Sequence, residues 1–120
     1  MRAVRNNRLG VVQLLLNYRH PEGKIEWEVN PAAYDNSAIQ YAAEASVEMV
    51  NLLLDYPGNE NHPEWMPVDP SANDNAAIEQ AVTRRNFDVV FRLVADPRVD
   101  ITQNVFEWFV VYYMRKNNGC

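Results

Sequence analysis

Apolar residues recur along this chain at i, i+3 and i+4, in short runs that come in pairs. Ile39, Ala42 and Ala43 form one face, and Val47, Val50, Leu53 and Leu54 form the next. Ile78, Ala81 and Val82 are followed in the same way by Phe87, Val90, Leu93 and Val94. This period predicts helices with one buried stripe each. Near the start, residues 3–12 match residues 81–90 without a gap, and Leu15-Leu16 fall where Leu93-Val94 fall. The chain is therefore expected to open inside the first helix of another pair. In the middle pair one residue is missing between the helices, so the turn around Ala45-Ser46 is expected to be tighter or shifted.

The segments before each pair are dense in turn formers. Asp69-Pro70-Ser71-Ala72-Asn73-Asp74-Asn75 combines a proline, which presets one dihedral, with Asn and Asp, which tolerate left-handed geometry. Residues 68–78 re-read residues 29–39 at a spacing of 39. Asp35 and Asp74, each followed by Asn and a helix, are expected to accept hydrogen bonds from the free amides of the helix start. That role accounts for both carboxylates without catalysis. The unit is turn, short helix, short turn, helix. A period of roughly 20–50 residues marks a stacked-repeat architecture.

Two connections exceed what a compact repeat needs, at residues 17–28 and 55–67. Both carry His-Pro-Glu (His20-Pro21-Glu22, His62-Pro63-Glu64) and Glu-Trp (Glu26-Trp27, Glu64-Trp65). They are expected to be extended finger loops descended from one longer unit. Asp96-Pro97-Arg98-Val99-Asp100 is the short form of the same connection.

The pattern resembles the ankyrin repeat in a diverged form. Ser37-Ala38-Ile39-Gln40-Tyr41-Ala42-Ala43 and Ala76-Ala77-Ile78-Glu79-Gln80-Ala81-Val82 are similar to the family's Thr-Pro-Leu-His-x-Ala-Ala run. Val47-Glu48-Met49-Val50-Asn51-Leu52-Leu53-Leu54 and Phe87-Asp88-Val89-Val90-Phe91-Arg92-Leu93-Val94 resemble its x-Glu-Ile-Val-x-x-Leu-Leu run. The resemblance covers about residues 1–104. The capping Thr-Pro is absent, and the glycine between helices is replaced by Asn7 and Arg85 or deleted. The expected fold is all-α, a stack of about three helix-turn-helix repeats with extended finger loops. A partial first repeat spans 1–28, a second 29–67 and a third 68–98, with a degenerate fourth unit or cap at 99–120.

The resemblance implies a non-catalytic module that binds a protein through its finger turns and the ledge beside its first helices. Carried onto this chain, the partner-binding positions are Tyr34, Asn36, Asn73 and Asn75 in the turns and Glu44, Thr83 and Arg84 on the ledge. Trp27 and Trp65 join them if they stand at the loop tips, and are structural if they pack at the loop base; tryptophan is among the residues that dominate interface energy.

The two ends are weakly capped for a stack, whose terminal repeats need polar outer faces. At the start, Arg2, Arg5 and Arg8 are the only charges available as a crude cap. At the other end, residues 105–114 are apolar on nearly all sides. As a helix they would bury Phe109, Tyr112 and Tyr113 and leave Trp108 uncovered. The alternative function is therefore a structural or assembly protein that self-associates through this aromatic segment into a homo-oligomer.

Composition narrows the partners further. The chain has 120 residues, 48% apolar and 22% charged, with a net charge of −5. Its lysines and arginines are scattered, which argues against nucleic acid, since phosphate binding needs a basic stripe. The single cysteine, Cys120, excludes an internal disulfide and fits a reducing compartment. No apolar run approaches the roughly 20 residues needed to span a bilayer. A cytoplasmic, intracellular location is expected, with no membrane partner. His20 and His62, each near a glutamate, lack the tight spacing of zinc ligands and are expected to be solvent residues. No phosphate loop or nucleophile–base pair appears, so no cofactor, metal or enzymatic activity is expected.

Overall fold

A computed structural model describes residues 2–22, 24, 28–99 and 107. Among the described residues six helices follow in order: α1 (Arg2–Arg5), α2 (Leu9–Asn17), α3 (Ala33–Ala45), α4 (Val47–Leu54), α5 (Ala72–Thr83) and α6 (Phe87–Ala95). They pair as α1/α2, α3/α4 and α5/α6. The first helices α1, α3 and α5 pack on one another in a row, and the second helices α2, α4 and α6 form a parallel row behind them. The fold is an all-α helical repeat stack.

The core takes in most of the predicted stripe and adds Ala38, Met49, Ala77 and Val89 to it, while Val47, Val82, Phe87 and Val94 are only half-buried. Ala38, Ile39, Ala42, Ala43, Ala77, Ile78 and Ala81 are buried from the first helices, and Met49, Val50, Leu53, Val90 and Leu93 from the second. Alanine at Ala42, Ala43 and Ala81 lets neighbouring first helices approach closely while still burying apolar surface.

The turns between paired helices show why the repeats differ in length. Asn7 and Arg85 both adopt left-handed backbone, with φ of 55° and 59°. The Arg85 amide donates to the Val82 carbonyl and the Asn86 amide to the Ala81 carbonyl, at 3.1 and 2.9 Å. These two bonds are the Schellman arrangement that glycine usually serves. The middle repeat lacks that residue. There Ser46, fully extended (φ −164°, ψ 157°), passes directly from α3 to α4, and its Oγ accepts from the Met49 amide to cap α4.

The finger turns depart from expectation. Tyr34, Asp35 and Asn36, and again Asn73, Asp74 and Asn75, form three consecutive left-handed residues, with φ between 54° and 62°. Right-handed helix begins only after them. Asn36 and Asn75, not the aspartates, stand immediately before the right-handed helix, and Asp35 and Asp74 lie inside the left-handed turn rather than at the cap position. Asn and Asp recur here because they bear the left-handed conformation at less cost than other residues with a β-carbon. Asn30 and Asp69 accept from the amides of Ala32 and Ser71, at 2.9 Å each, to close the preceding turn.

Candidate functional site

Polar stitches hold neighbouring repeats in register and fix what is left open to a partner. The Asp69 amide donates to Asn36 Oδ1 at 2.8 Å, joining one finger turn to the next. At the far end of the first helices, Asn86 Nδ2 donates to the Ala43 and Glu44 carbonyls at 3.0 and 3.2 Å. Behind, Arg92 reaches Asn51 at 2.7 Å and Asp55 at 3.3 Å. Arg98 donates to the Leu54 carbonyl at 2.8 Å. Asp96 accepts from both arginines, and Arg98 above all, with Arg92, holds its carboxyl well below the usual range against the opposing effect of burial.

The two long connections also grip each other. Glu28, buried, accepts from the His20 amide at 2.8 Å, from Asn59 Nδ2 at 2.9 Å and from Asn61 Nδ2 at 3.2 Å. Burial pushes its carboxyl up, but these three donors and nearby His62 outweigh burial and leave it below the usual glutamate range. Arg19 clasps Glu60 through two bonds, at 2.8 and 3.1 Å, and lowers its pKa to about 2. His62, expected in solvent, is buried: Trp65 stacks on its ring at 3.7 Å between centroids and 4° between planes. Its ring nitrogens lie 3.7 Å from Glu28 and 3.2 Å from Glu64. Among the described residues no group of three or more His, Cys, Asp and Glu is placed to hold a metal ion.

The predicted partner positions sort by exposure. Tyr34 is 90% exposed at the tip of the first finger turn, and Asn73, its counterpart one repeat on, is exposed as well. Thr83 and Arg84 are exposed at the end of α5, where Arg84 pairs with half-buried Glu44 at 3.8 Å. Asn36 is half-buried and committed to Asp69. Asn75, 2% exposed, turns into the stack and leaves the predicted set. Trp65 is half-buried against His62, so it braces the loop. Trp27, Trp108, Phe109, Tyr112 and Tyr113 lie outside the described residues. The structure brings Glu44 and Arg84 into contact, whereas Tyr34 and Asn73 stand at the opposite ends of the same helices.

Sequence reasoning missed a groove of about 510 Å³ between the second long connection and the Asn30-Pro31 turn before α3, lined on the loop side by Tyr56, Pro57, Trp65, Met66 and Pro67. Met66 is exposed there. Its signal was the apolar side chains of Trp65-Met66 within a loop otherwise rich in proline and polar residues.

A family model of ankyrin repeats, in three copies, matches residues 1–105. Neither a curated protein nor a solved structure was found to match the chain. Ankyrin repeats are generally protein–protein interaction modules and generally non-catalytic. No helix among the described residues is long and apolar enough to cross a membrane. With three helix pairs stacked in two rows and a family match over nearly its whole length, this chain belongs to the ankyrin-repeat family.

Proposed function

We propose that the chain is a non-catalytic, intracellular binding module that grips a protein partner with its finger turns and with the ledge at the ends of its first helices. Tyr34 is the observation that carries this reading. A tyrosine held in a rigid left-handed turn with 90% of its surface open contributes nothing to the core, yet has the large, amphipathic contact area that interface anchors use. Asn73 repeats the position in the next turn, and Glu44, Thr83 and Arg84 complete the ledge. The set mixes an aromatic, an amide and both signs of charge, which suits a protein surface better than a phosphate backbone. Burial of Asn75 and packing of Trp65 remove those two from the face.

The test is the double variant Tyr34→Ala, Arg84→Glu, measured for affinity to a partner isolated with the wild-type chain. Both side chains are exposed, so the far-ultraviolet circular dichroism spectrum and melting temperature should hold. Affinity should fall at least tenfold. Unchanged affinity in a folded variant would remove this face.

A further inference from the structure

Arginines elsewhere in the stack are committed to carboxylates. Arg19 pairs with Glu60, Arg92 with Asp55 and Asp96, and Arg98 with Asp96. The arginines on the ledge are held differently. Arg5, at the end of α1, lies over the Tyr41 ring at 4.8 Å. Arg84, just past α5, reaches Glu44 only at 3.8 Å and keeps 59% of its side chain exposed. Arg85 follows it. Arg5 and Arg85 are exposed, and among the described residues neither pairs with a carboxylate. Tyr41 and Glu44 are i and i+3 on α3, so they share one side of that helix. Because α3 packs between α1 and α5, the ledge is one strip across three helix ends. It is cationic on both flanks of α3, with half-buried Glu44 at its centre.

The fold itself has little use for this strip. A cation at a helix C-terminus complements the helix dipole, which accounts for one arginine after α5 but not for the second. Arg85 sits at φ 59°, a left-handed position that glycine fills without strain, and its amide bonds to Val82 without help from the side chain. Strain kept for a side chain that the fold does not use points to function. The carboxylates that open α4 and α6, Glu48 and Asp88, pair with none of these arginines among the described residues. The opposite end of the first helices carries the reverse charge. Asp35, Asp69 and Asp74 are exposed there, and residues 29–39 and 68–78 hold no lysine or arginine.

We infer that this arginine ledge docks an acidic segment of the protein partner, one whose carboxylates are spaced to flank Glu44. The inference rests on the reading of the ledge as part of the partner face, and it supplies the partner's chemistry there. Arginine presents a planar fork of N–H donors that takes a carboxylate through two parallel bonds. Arg5 on one side of α3 and Arg84-Arg85 on the other offer such forks. Glu44 repels a carboxylate placed midway, so the strip favours two acidic groups with a gap between them. A nucleic-acid backbone carries charge at every step and needs an unbroken basic stripe, which Glu44 interrupts. The acidic finger turns repel the same segment from the other end of the helices. Charge therefore sets the partner's orientation as well as its affinity.

Hexaglutamate peptide is the acidic probe, followed through the amide chemical shifts of the full chain at low salt. Against a chain of net charge −5, general attraction cannot hold this peptide. Saturable shifts should appear at Arg5, Glu44 and residues 84–86, and added salt should abolish them. Arg84→Gln combined with Arg85→Gln should weaken binding about tenfold with unchanged circular dichroism, since both side chains are exposed. Tyr34→Ala should leave peptide binding as it is, which separates failure here from failure of the finger-turn reading. With the partner isolated on the wild-type chain, added salt should weaken binding more steeply in wild type than in the double variant. No shifts at the ledge, or shifts that survive the double variant, would overturn the inference. So would an oligothymidylate of equal charge that binds the ledge more tightly than hexaglutamate, or partner binding equally sensitive to salt in both chains.

Discussion

Asn86→Ala tests how the repeats are held together. In wild type, Asn86 Nδ2 donates to two carbonyls at the end of α3, those of Ala43 at 3.0 Å and Glu44 at 3.2 Å, across more than forty residues of chain. Those carbonyls belong to the last turn of a helix, where no intrahelical amide reaches them. A typical intramolecular hydrogen bond contributes about 0.5–1.5 kcal/mol net. Two such bonds set the loss at about 1–3 kcal/mol, and partial exposure of the site, which lets water replace Asn86, places it near the lower half of that span. For a domain of this size, 1 kcal/mol lowers the melting temperature by roughly 4 °C, so thermal unfolding followed by circular dichroism should show a fall of about 4–8 °C. Asn86→Asp sharpens the test. It keeps the shape but turns a carboxylate toward two carbonyls and the negative end of the α3 dipole, so it should be less stable than the alanine variant. If Asn86→Asp melted like wild type, the side chain would not be serving α3, and this reading of the inter-repeat junction would fail.

Other expectations follow from the same geometry. Arg85→Gly relieves about 1–2 kcal/mol of left-handed strain but gives back about 0.4–1 kcal/mol through the freer unfolded chain; a small rise in melting temperature should result, whereas Arg85→Val should lower it. Leu53→Ala, in the fully buried core, should cost about 2–5 kcal/mol, read from urea unfolding. In acid, the folded chain holds the protons of Asp96, Glu60 and Glu28 more weakly than the unfolded chain, because each folded pKa is lowered. Their contribution is therefore complete above the unfolded carboxylate values, about pH 4–4.5, and is lost as the pH falls toward the folded ones, about 2 for Glu60. Melting temperature measured against pH should drop across that window, and Asp96→Asn should make the drop shallower.

The helix pairs were legible because each has a buried stripe at the helical period and a near-identical copy elsewhere in the chain. The missing residue before Val47 was legible too, and the structure resolves it through extended Ser46 and its bond to Met49. The finger turns were legible as turns but not in their handedness. Asn-Asp-Asn reads equally as a cap or as left-handed backbone, and only the dihedrals separate the two. Least legible was the junction between the long connections. Glu28 looks like any surface glutamate until Asn59, Asn61 and the His20 amide converge on it from two loops 31 and more residues apart in part. His62 was misjudged for the same reason: its neighbours in sequence are polar and proline, while its burial comes from the Trp65 ring and Glu28. Of the proposed partner positions, Tyr34, Asn73, Thr83 and Arg84 are exposed, while Asn75 is buried in the stack.

A photo-reactive phenylalanine analogue placed at Tyr34, with the same group at Glu48 on exposed α4 surface as the comparison, tests the proposed binding face most directly. On irradiation with the isolated partner, the probe at Tyr34 should give a covalent adduct, Arg84→Glu should diminish it, and the probe at Glu48 should give none. Adducts from Glu48 with none from Tyr34 would place the partner on the second helices and contradict the account.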